Sequence, residues 1–400
     1  MNLSIVIPAL NEEASIASII ERTLAAESYI VENSVVTSLE IIVVSDGSTD
    51  RTVEIATNYL PNIKLIVFKK NKGYGAAIKQ GWSEARGELL GFLDADGTCD
   101  PLFFTNLVNL LTTKNADVVL GCRLNKESKM PFIRRLGNFI FAKLLTYLSS
   151  NYVKDTASGM RVVKKESLKK IYPLPDGLHF TPAMSARALL NENIIIEEED
   201  MPYNEREGES KLSVIKDGVR FLKVILSTAF LYRPHVIFNT ISILVFLLAV
   251  IVMAQPTIHY FNYQRVEEDM IYRFIVGEVL GVFAFSLFSA SYIVQSTIRL
   301  SILDSNDFNT KKGGVASFFE SKISWIIAII FVIIGFVSIY DSLIHRIETG
   351  KTFTHWSRYF LFSFFEIIAL LIFITKFSRI TLKLLKYRMI FVQSDFYKKL

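Results

Sequence analysis

The chain has 400 residues, 51% of them hydrophobic, and a mean hydropathy of +0.34. It is long enough for more than one domain and too apolar for an ordinary soluble protein. The net charge of +5 is modest, and many basic residues lie beside apolar segments, which suits an anionic membrane surface better than nucleic acid. Cys99 and Cys122 have no metal-ligand spacing and read as reduced thiols in a cytosolic portion. Met1 leads directly into a strand, so no signal peptide is expected.

The N-terminal half alternates strand and helix. Strand-like runs at Leu3–Ile7, Leu39–Val44, Ile63–Phe68, Leu89–Leu93 and Val118–Leu120 are separated by helical stretches near Glu12–Leu24, Asp50–Tyr59, Gly75–Ala85 and Pro101–Leu111. This order predicts βαβ units and a mostly parallel sheet. Asn11 reads as the N-cap of the first helix, with Glu12 and Glu13 at the positive end of its dipole. Three strand ends carry small or acidic residues: Pro8 to Glu12, Ser45-Asp46-Gly47, and Asp94-Ala95-Asp96. In an open α/β sheet, ligands gather at the carboxyl ends of strands. Residues i and i+2 of a strand share a face, so Asp94 and Asp96 can converge on one hard divalent cation that also holds a diphosphate. Each of these stretches is also ordinary turn chemistry when taken alone; in successive units of one polarity they form a crevice.

Val6-Ile7-Pro8-Ala9-Leu10-Asn11-Glu12-Glu13, Asp46-Gly47-Ser48-Thr49-Asp50, Asn71-Lys72-Gly73-Tyr74-Gly75 and Asp94-Ala95-Asp96 resemble, in order and spacing, the signature of family 2 glycosyltransferases. The resemblance implies an α/β, Rossmann-like GT-A domain. It implies further that Pro8, Ala9, Asn11, Glu12, Val44 and Asp46 line a base and ribose pocket, and that Asp94, Ala95 and Asp96 face the diphosphate of a UDP- or GDP-hexose. Asp94 and Asp96 would hold Mg²⁺ or Mn²⁺. Gly73 belongs to the same nucleotide-sugar set, and Lys72 reads either as a phosphate contact or as an exposed loop lysine. Ser45 stands where the family often has an acidic residue.

Beyond the fifth strand the chain turns toward an acceptor. Met130 to Phe139 opens a helix that mixes apolar and basic residues; it reads as interfacial, or as an ordinary surface helix. Asp155-Thr156-Ala157-Ser158-Gly159-Met160-Arg161 and Arg206-Glu207-Gly208-Glu209-Ser210-Lys211-Leu212 follow. The second has the composition of a phosphate grip: arginine, hydroxyl and lysine around a glycine. Together the two stretches are similar to polyprenyl-phosphate glycosyltransferases, which include dolichyl-phosphate mannose and glucose synthases, over roughly residues 1–232. That similarity implies a lipid monophosphate acceptor held by Arg123, Arg134, Arg206, Ser210 and Lys211, with Asp155 as a third catalytic carboxylate that orients acceptor or sugar. Gly177 to Pro182 reads as a sugar-pocket loop in which His179 is structural.

From Val236 four apolar stretches, about Val236–Ala254, Ile271–Ile298, Ile323–Tyr340 and Tyr359–Phe377, are each near the roughly 20 residues that cross a bilayer. The expected division is a cytoplasmic catalytic domain over 1–212, an amphipathic interfacial helix over 213–232, and an all-α transmembrane domain of four helices over 233–400. The basic tail, including Lys376, Arg379, Lys383, Lys386 and Arg388, places the C-terminus, and with an even number of spans the catalytic domain, in the cytoplasm. Glu278 and Glu366 fall within spans, where a charge is costly and often functional. Four spans exceed what anchoring requires, leaving surface for a homo-oligomer. The activity expected is inverting transfer of a hexose to dolichyl or undecaprenyl phosphate. The alternatives are transfer to a sugar hydroxyl, for which the Gln-x-x-Arg-Trp element of processive relatives is missing, and a non-catalytic transport or assembly scaffold.

Overall fold

Five strands lie where the apolar runs put them: β1 (Asn2–Ala9), β2 (Ser38–Ser45), β3 (Lys64–Val67), β4 (Leu89–Leu93) and β5 (Val118–Cys122). The computed structural model describes residues 1–125, 128, 130–149, 151–204, 213–302, 314–351 and 355–395. Between these strands run α1 (Ile16–Asn33), α2 (Thr52–Thr57), α3 (Tyr74–Glu84) and α4 (Phe104–Thr113). After β5 come α5 (Phe132–Leu148), β6 (Met160–Lys164), α6 (Leu168–Ile171), α7 (Phe180–Leu190), β7 (Ile196–Asp200) and α8 (Val214–Tyr232). The seven strands form one sheet in the order β3-β2-β1-β4-β6-β5-β7. β6 is antiparallel to both its neighbours, and the other pairs are parallel.

Buried runs such as Leu89 to Leu93 are apolar on both faces because helices cover both sides of the sheet. Leu89 and Leu93 join one core with Phe104, Leu107 and Val108 of α4. Phe92 points the other way, into an aromatic cluster with Tyr74, Trp82 and Phe180 whose ring centroids lie 5.6 to 6.5 Å apart. Offset and edge-on aromatic packing of this kind is worth about 0.5–1.5 kcal/mol per pair beyond area burial, and here it forms the floor under the strand ends.

Asn11 does not cap α1, which begins at Ile16 after a turn closed by Ser15 and Ile16 amides on the Glu12 carbonyl. Asn11 sits at φ 51°, and its Oδ1 accepts the Thr49 amide at 2.8 Å instead. The asparagine thus ties the β1 turn to the β2 turn, a long-range partner that no cap rule anticipates.

The chain divides into two compact units, Met1–Tyr232 and Arg233–Leu400. In the first, α8 packs on α7 and α5, burying Phe221, Ile225 and Ala229 while Ile215, Val219, Leu222, Leu226 and Phe230 stay exposed. The second unit is helical: α9 (Pro234–Tyr263), α10 (Ile271–Ile302), α11 (Gly314–Glu320), α12 (Ile323–Thr349) and α13 (Trp356–Asp395). Four helical stretches, Pro234–Tyr263, Glu268–Leu300, Ile323–Thr349 and Trp356–Met389, are long and apolar enough to cross a membrane. Only 11 to 28% of each apolar window is buried within the unit, so the apolar surface faces outward, the reverse of a water-soluble bundle. Small residues let these helices approach: a side chain at Gly281 would meet Phe364, and Ser242 donates to the Ala284 carbonyl at 2.8 Å. Glu278 accepts from Ser363 at 2.6 Å, and Glu366 lies against Gly335.

Candidate active site

A cavity of about 410 Å³ opens at the carboxyl ends of β1, β2 and β4. Pro8, Ala9 and Glu12 line it from the β1 turn, Asp46 from the β2 turn, and Asp94, Ala95 and Asp96 from the β4 end. These are the ends of neighbouring parallel strands, so residues 34 to 88 positions apart in sequence meet on one edge of the sheet.

Each carboxylate is held by groups close to it in the fold. Asp46 accepts the Lys72 amide at 2.7 Å on one oxygen and the Gly73 amide at 2.9 Å on the other. Gly73 has φ +108°, and a Cβ there would lie 2.4 Å from the Asp176 carbonyl oxygen, so glycine is required for the amide to reach Asp46. Asp96 accepts the Thr98 hydroxyl at 2.6 Å and its amide at 3.2 Å. Arg22 of α1 fixes the same loop through the Gly97 and Cys99 carbonyls, both at 3.3 Å. Asp94 accepts the Tyr74 hydroxyl at 2.6 Å. Burial first, and the Asp94 carboxylate second, push the Tyr74 phenol well above its usual range, so it remains a donor. On its other side Asp94 abuts Gly159: a Cβ at that glycine would fall 1.7 Å from Asp94 Oδ2.

The rest of the cavity wall is basic and partly apolar. Arg123 follows β5, Arg134 lies on α5 and Arg220 on α8, with Tyr203, Leu178 and Phe221 between them. Arg123 donates through Nε to Asp155 Oδ2 at 2.7 Å and through Nη2 to Oδ1 at 2.9 Å, and its Cζ stacks 5.5 Å from the centroid of the Tyr203 ring. Asp155 is fully buried. It also accepts from the Arg123 amide, from Asn138 Nδ2 and from the Ala157 amide. Burial opposes its charge, but Arg123 and these hydrogen bonds outweigh that and hold its carboxyl below the usual range. Arg220 donates to Asp217, one turn earlier on α8, at 2.9 Å.

Among the residues expected from sequence, Pro8, Ala9, Glu12, Asp46, Gly73, Asp94, Ala95, Asp96, Arg123 and Arg134 line this one cavity. Four others stand elsewhere. Asn11 ties two turns, and Val44 is buried inside β2. The Lys72 ammonium lies 4.4 Å from the Phe68 ring centroid and reaches the site only through its amide. Asp155 lies behind Arg123 rather than on the cavity surface. Arg206, Ser210 and Lys211 lie outside the described residues. Gly177, Leu178 and Thr181 reach the cavity while His179 does not. Tyr74, Gly159 and Arg220 escaped the sequence reading as site residues. Tyr74 and Gly159 nevertheless fall within the Asn71–Gly75 and Asp155–Arg161 stretches that carry the family resemblance.

The sequence model described as Glycosyl transferase family 2 matches residues 4–172, a span holding Glu12, Asp46, Asp94, Asp96 and Asp155. A dolichyl-phosphate hexose transferase from Haloferax volcanii is 31% identical over 226 residues, 56% of this chain and 92% of that protein. The chain belongs to glycosyl transferase family 2. A second relative, the low-salt glycan biosynthesis hexosyltransferase Agl6 of the same organism, is 34% identical over 232 residues. That match covers 57% of this chain and 54% of Agl6, so the chain spans about half the length of that relative. Among solved structures, glucosyl-3-phosphoglycerate synthase from Mycobacterium tuberculosis, crystallised with Mn²⁺, UDP and phosphoglyceric acid, is 22% identical with a TM-score of 0.46, covering 57% of this chain and 78% of that one. The three acidic strand ends meet on one cavity, and Ser45 is buried, hydrogen-bonded to Ser48 at 2.9 Å.

Proposed function

We propose that this protein transfers a hexose from a nucleotide diphosphate sugar to a polyprenyl phosphate at a membrane surface, inverting the anomeric centre. The observation that carries this reading is the meeting of Asp46, Asp94 and Asp96 with Arg123, Arg134 and Arg220 around one cavity. Carboxylates at strand ends suit a nucleotide and a cation-bound diphosphate, and clustered arginines suit a phosphate monoester. The Haloferax volcanii dolichyl-phosphate hexose transferase supports the same acceptor class. The outward apolar surface of the second unit supports membrane residence. So do the exposed apolar stripe of α8, which ends two residues before Pro234, and exposed Phe132, Ile133, Leu136, Phe139 and Ile140 on α5. The basic residues in the C-terminal part of α13, Arg379, Lys383, Lys386 and Arg388, favour a cytoplasmic catalytic unit.

The donor would sit along Pro8, Ala9, Glu12 and Asp46, with its diphosphate toward Asp94 and Asp96. Two adjacent carboxylates with no third acidic or histidine ligand, among the described residues, to complete a cage suit Mg²⁺ or Mn²⁺, which binds through one or two carboxylates plus substrate phosphates. When bound there, the ion supplies electrostatic stabilisation to the departing nucleoside diphosphate. The acceptor phosphate is anionic near neutral pH and needs little help from a base. Arg123, Arg134 and Arg220, with Arg206, Ser210 and Lys211 from the sequence motif, orient it and offset repulsion between the two anions. Asp155 is then a positioning residue: its oxygens hold Arg123 and Asn138 in a dry site, and it has no proton to accept from a lipid phosphate.

The test is to supply full-length protein in lipid nanodiscs with UDP- and GDP-hexoses, Mn²⁺ and undecaprenyl or dolichyl phosphate, and to identify products by mass. A hexosyl phospholipid formed from glycan-free lipid phosphate is expected. Transfer only to an oligosaccharide hydroxyl, or nucleotide-sugar binding without turnover, overturns the reading.

A further inference from the structure

We propose that Arg161 is a positioning residue that keeps the donor carboxylate Asp94 and the acceptor arginine Arg123 in register, so that nucleotide and lipid phosphate tighten each other's binding. The inference rests on the reading of function above and concerns a residue that never reaches the cavity. Arg161 lies in β6 opposite Phe92 of β4 and is fully buried. A guanidinium is costly to bury unless it is paired, yet among the described residues this one has no direct carboxylate partner. Its Nε donates to the Ser158 carbonyl at 3.1 Å and its Nη2 to the Thr156 carbonyl at 3.0 Å, while Nη1 has no hydrogen-bond partner among the described residues.

The two carbonyls identify what the buried charge holds. They belong to the five-residue stretch from Asp155 to Gly159, whose two ends touch the two halves of the site. At one end Asp155 grips Arg123 through three hydrogen bonds, two from the guanidinium and one from the amide, and at the other Gly159 is packed against Asp94 Oδ2. Between those ends Ser185 adds a third donor, to the Thr156 carbonyl at 2.8 Å. A shift of this stretch therefore moves Arg123 and the wall behind Asp94 together. Rigid elements shared by two sites are a physical route to coupling, and coupling of this kind is typically worth 5- to 150-fold in affinity. Burial, with the nearby Arg123 charge, lowers the Arg161 pKa to about 10 while the carboxylates of Asp155 and Asp94 act to raise it, so the residue remains a cation near neutral pH.

The experiment compares full-length native protein with Arg161→Gln, Arg161→Lys and Ser185→Ala in nanodiscs. Binding of UDP and of GDP in Mn²⁺ is measured by calorimetry with and without undecaprenyl phosphate, beside thermal melting and steady-state kinetics. In native protein the lipid phosphate is expected to tighten nucleotide binding at least about fivefold. In Arg161→Gln that tightening is lost and kcat falls by about 30-fold or more, an effect of mispositioning at a distance. Arg161→Lys restores part of both, because one ammonium can still reach a carbonyl, and Ser185→Ala weakens the coupling by about two- to threefold through one lost neutral hydrogen bond. Should Arg161→Gln fail to fold, the lysine and Ser185 variants decide. Variants that melt earlier but keep native kcat and native coupling overturn the proposal, as does native protein that glycosylates the lipid phosphate without coupling. If native protein glycosylates no lipid phosphate, the reading of function falls instead, and the Arg161 assignment is then decided by whether Arg161→Gln weakens Mn²⁺-dependent nucleotide binding.

Discussion

The two halves of the cavity are built differently. On the donor side two of the three carboxylates take backbone amides from nearby loops, Asp96 that of Thr98 two residues on and Asp46 those of Lys72 and Gly73 just before α3, while Asp94 takes the Tyr74 hydroxyl. On the acceptor side Arg123 depends on Asp155, 32 positions away, which in turn depends on Asn138 of α5. Backbone amides are rigid with the sheet, whereas the acceptor side is a chain of side chains on separate elements. The donor half should thus tolerate loss of a single side-chain contact without collapse. The acceptor half should lose geometry and stability together.

The sharpest break of that contrast is Asp96→Ala. The fold should survive, because Thr98 keeps its place in a loop also held by Arg22, while kcat/KM falls by about 10³-fold or more as charge stabilisation of the leaving diphosphate is lost. A matching loss on chelation, reversed by Mn²⁺ or Mg²⁺, is expected in the native protein. Melting curves alongside kinetics check both halves of the statement.

Arg123→Ala should cost less in rate, about 10²-fold in kcat/KM for the lipid phosphate, but more in stability. It strands Asp155 as an unpaired buried charge, a change of about 3–5 kcal/mol. The pH dependence follows from the same pair. The folded Asp155 pKa is depressed, so its contribution is fully present above the ordinary carboxylate pKa of about 3.9 and is lost as pH falls through the lower folded value. The melting-temperature gap between native protein and Asp155→Asn should therefore narrow as pH is lowered from 6 toward 3. A gap that stays constant over this range would remove Asp155 as the ionised anchor of Arg123.

How much of this was legible without coordinates follows the same division. β1, β2 and β4 were readable because a strand covered on both faces is a continuous apolar run, and the residues that end it are the site. β6 and β7 were not. Met160–Lys164 carries a buried arginine, and Ile196–Asp200 is an edge strand with four acidic residues in five, a composition that suits a sheet edge but does not announce a strand. Placing β6 antiparallel between β4 and β5 is a long-range choice with no local signature. Asn11 has good N-cap chemistry, yet tertiary pairing with Thr49 overrode it. The role of Tyr74 depends on α3 being laid across β1 and β2 with its aromatic side chains reaching Phe92 of β4, which brings a residue 20 positions away to Asp94.

Tyr74→Phe sharpens the contrast from the donor side. The ring keeps its packing on Phe92 and Phe180, so stability should barely change, and only the hydrogen bond to Asp94 is lost. A hydrogen bond to a charged group contributes about 1.5–3 kcal/mol. Much of that is recovered if water reaches Asp94 through the cavity, so a fall in kcat of about tenfold is expected, with the acceptor KM unchanged. An altered acceptor KM with native kcat would move Tyr74 to the other half.

The smallest effect is expected at Arg220, and its size tests whether the acceptor half extends onto α8. The side chain is about half exposed, 51%, so its charge is screened by solvent and salt. It is held by Asp217, which also accepts the Ser213 amide at 2.9 Å, so Arg220→Gln leaves the helix start intact. The acceptor KM should rise about threefold at low salt with kcat unchanged, and the difference should disappear at about 0.5 M salt, where the Debye length falls below the reach of an exposed side chain. A kcat defect that persists at high salt would place Arg220 among the buried, geometry-setting groups with Arg123. The acceptor half would then include the helix that leads into the first span.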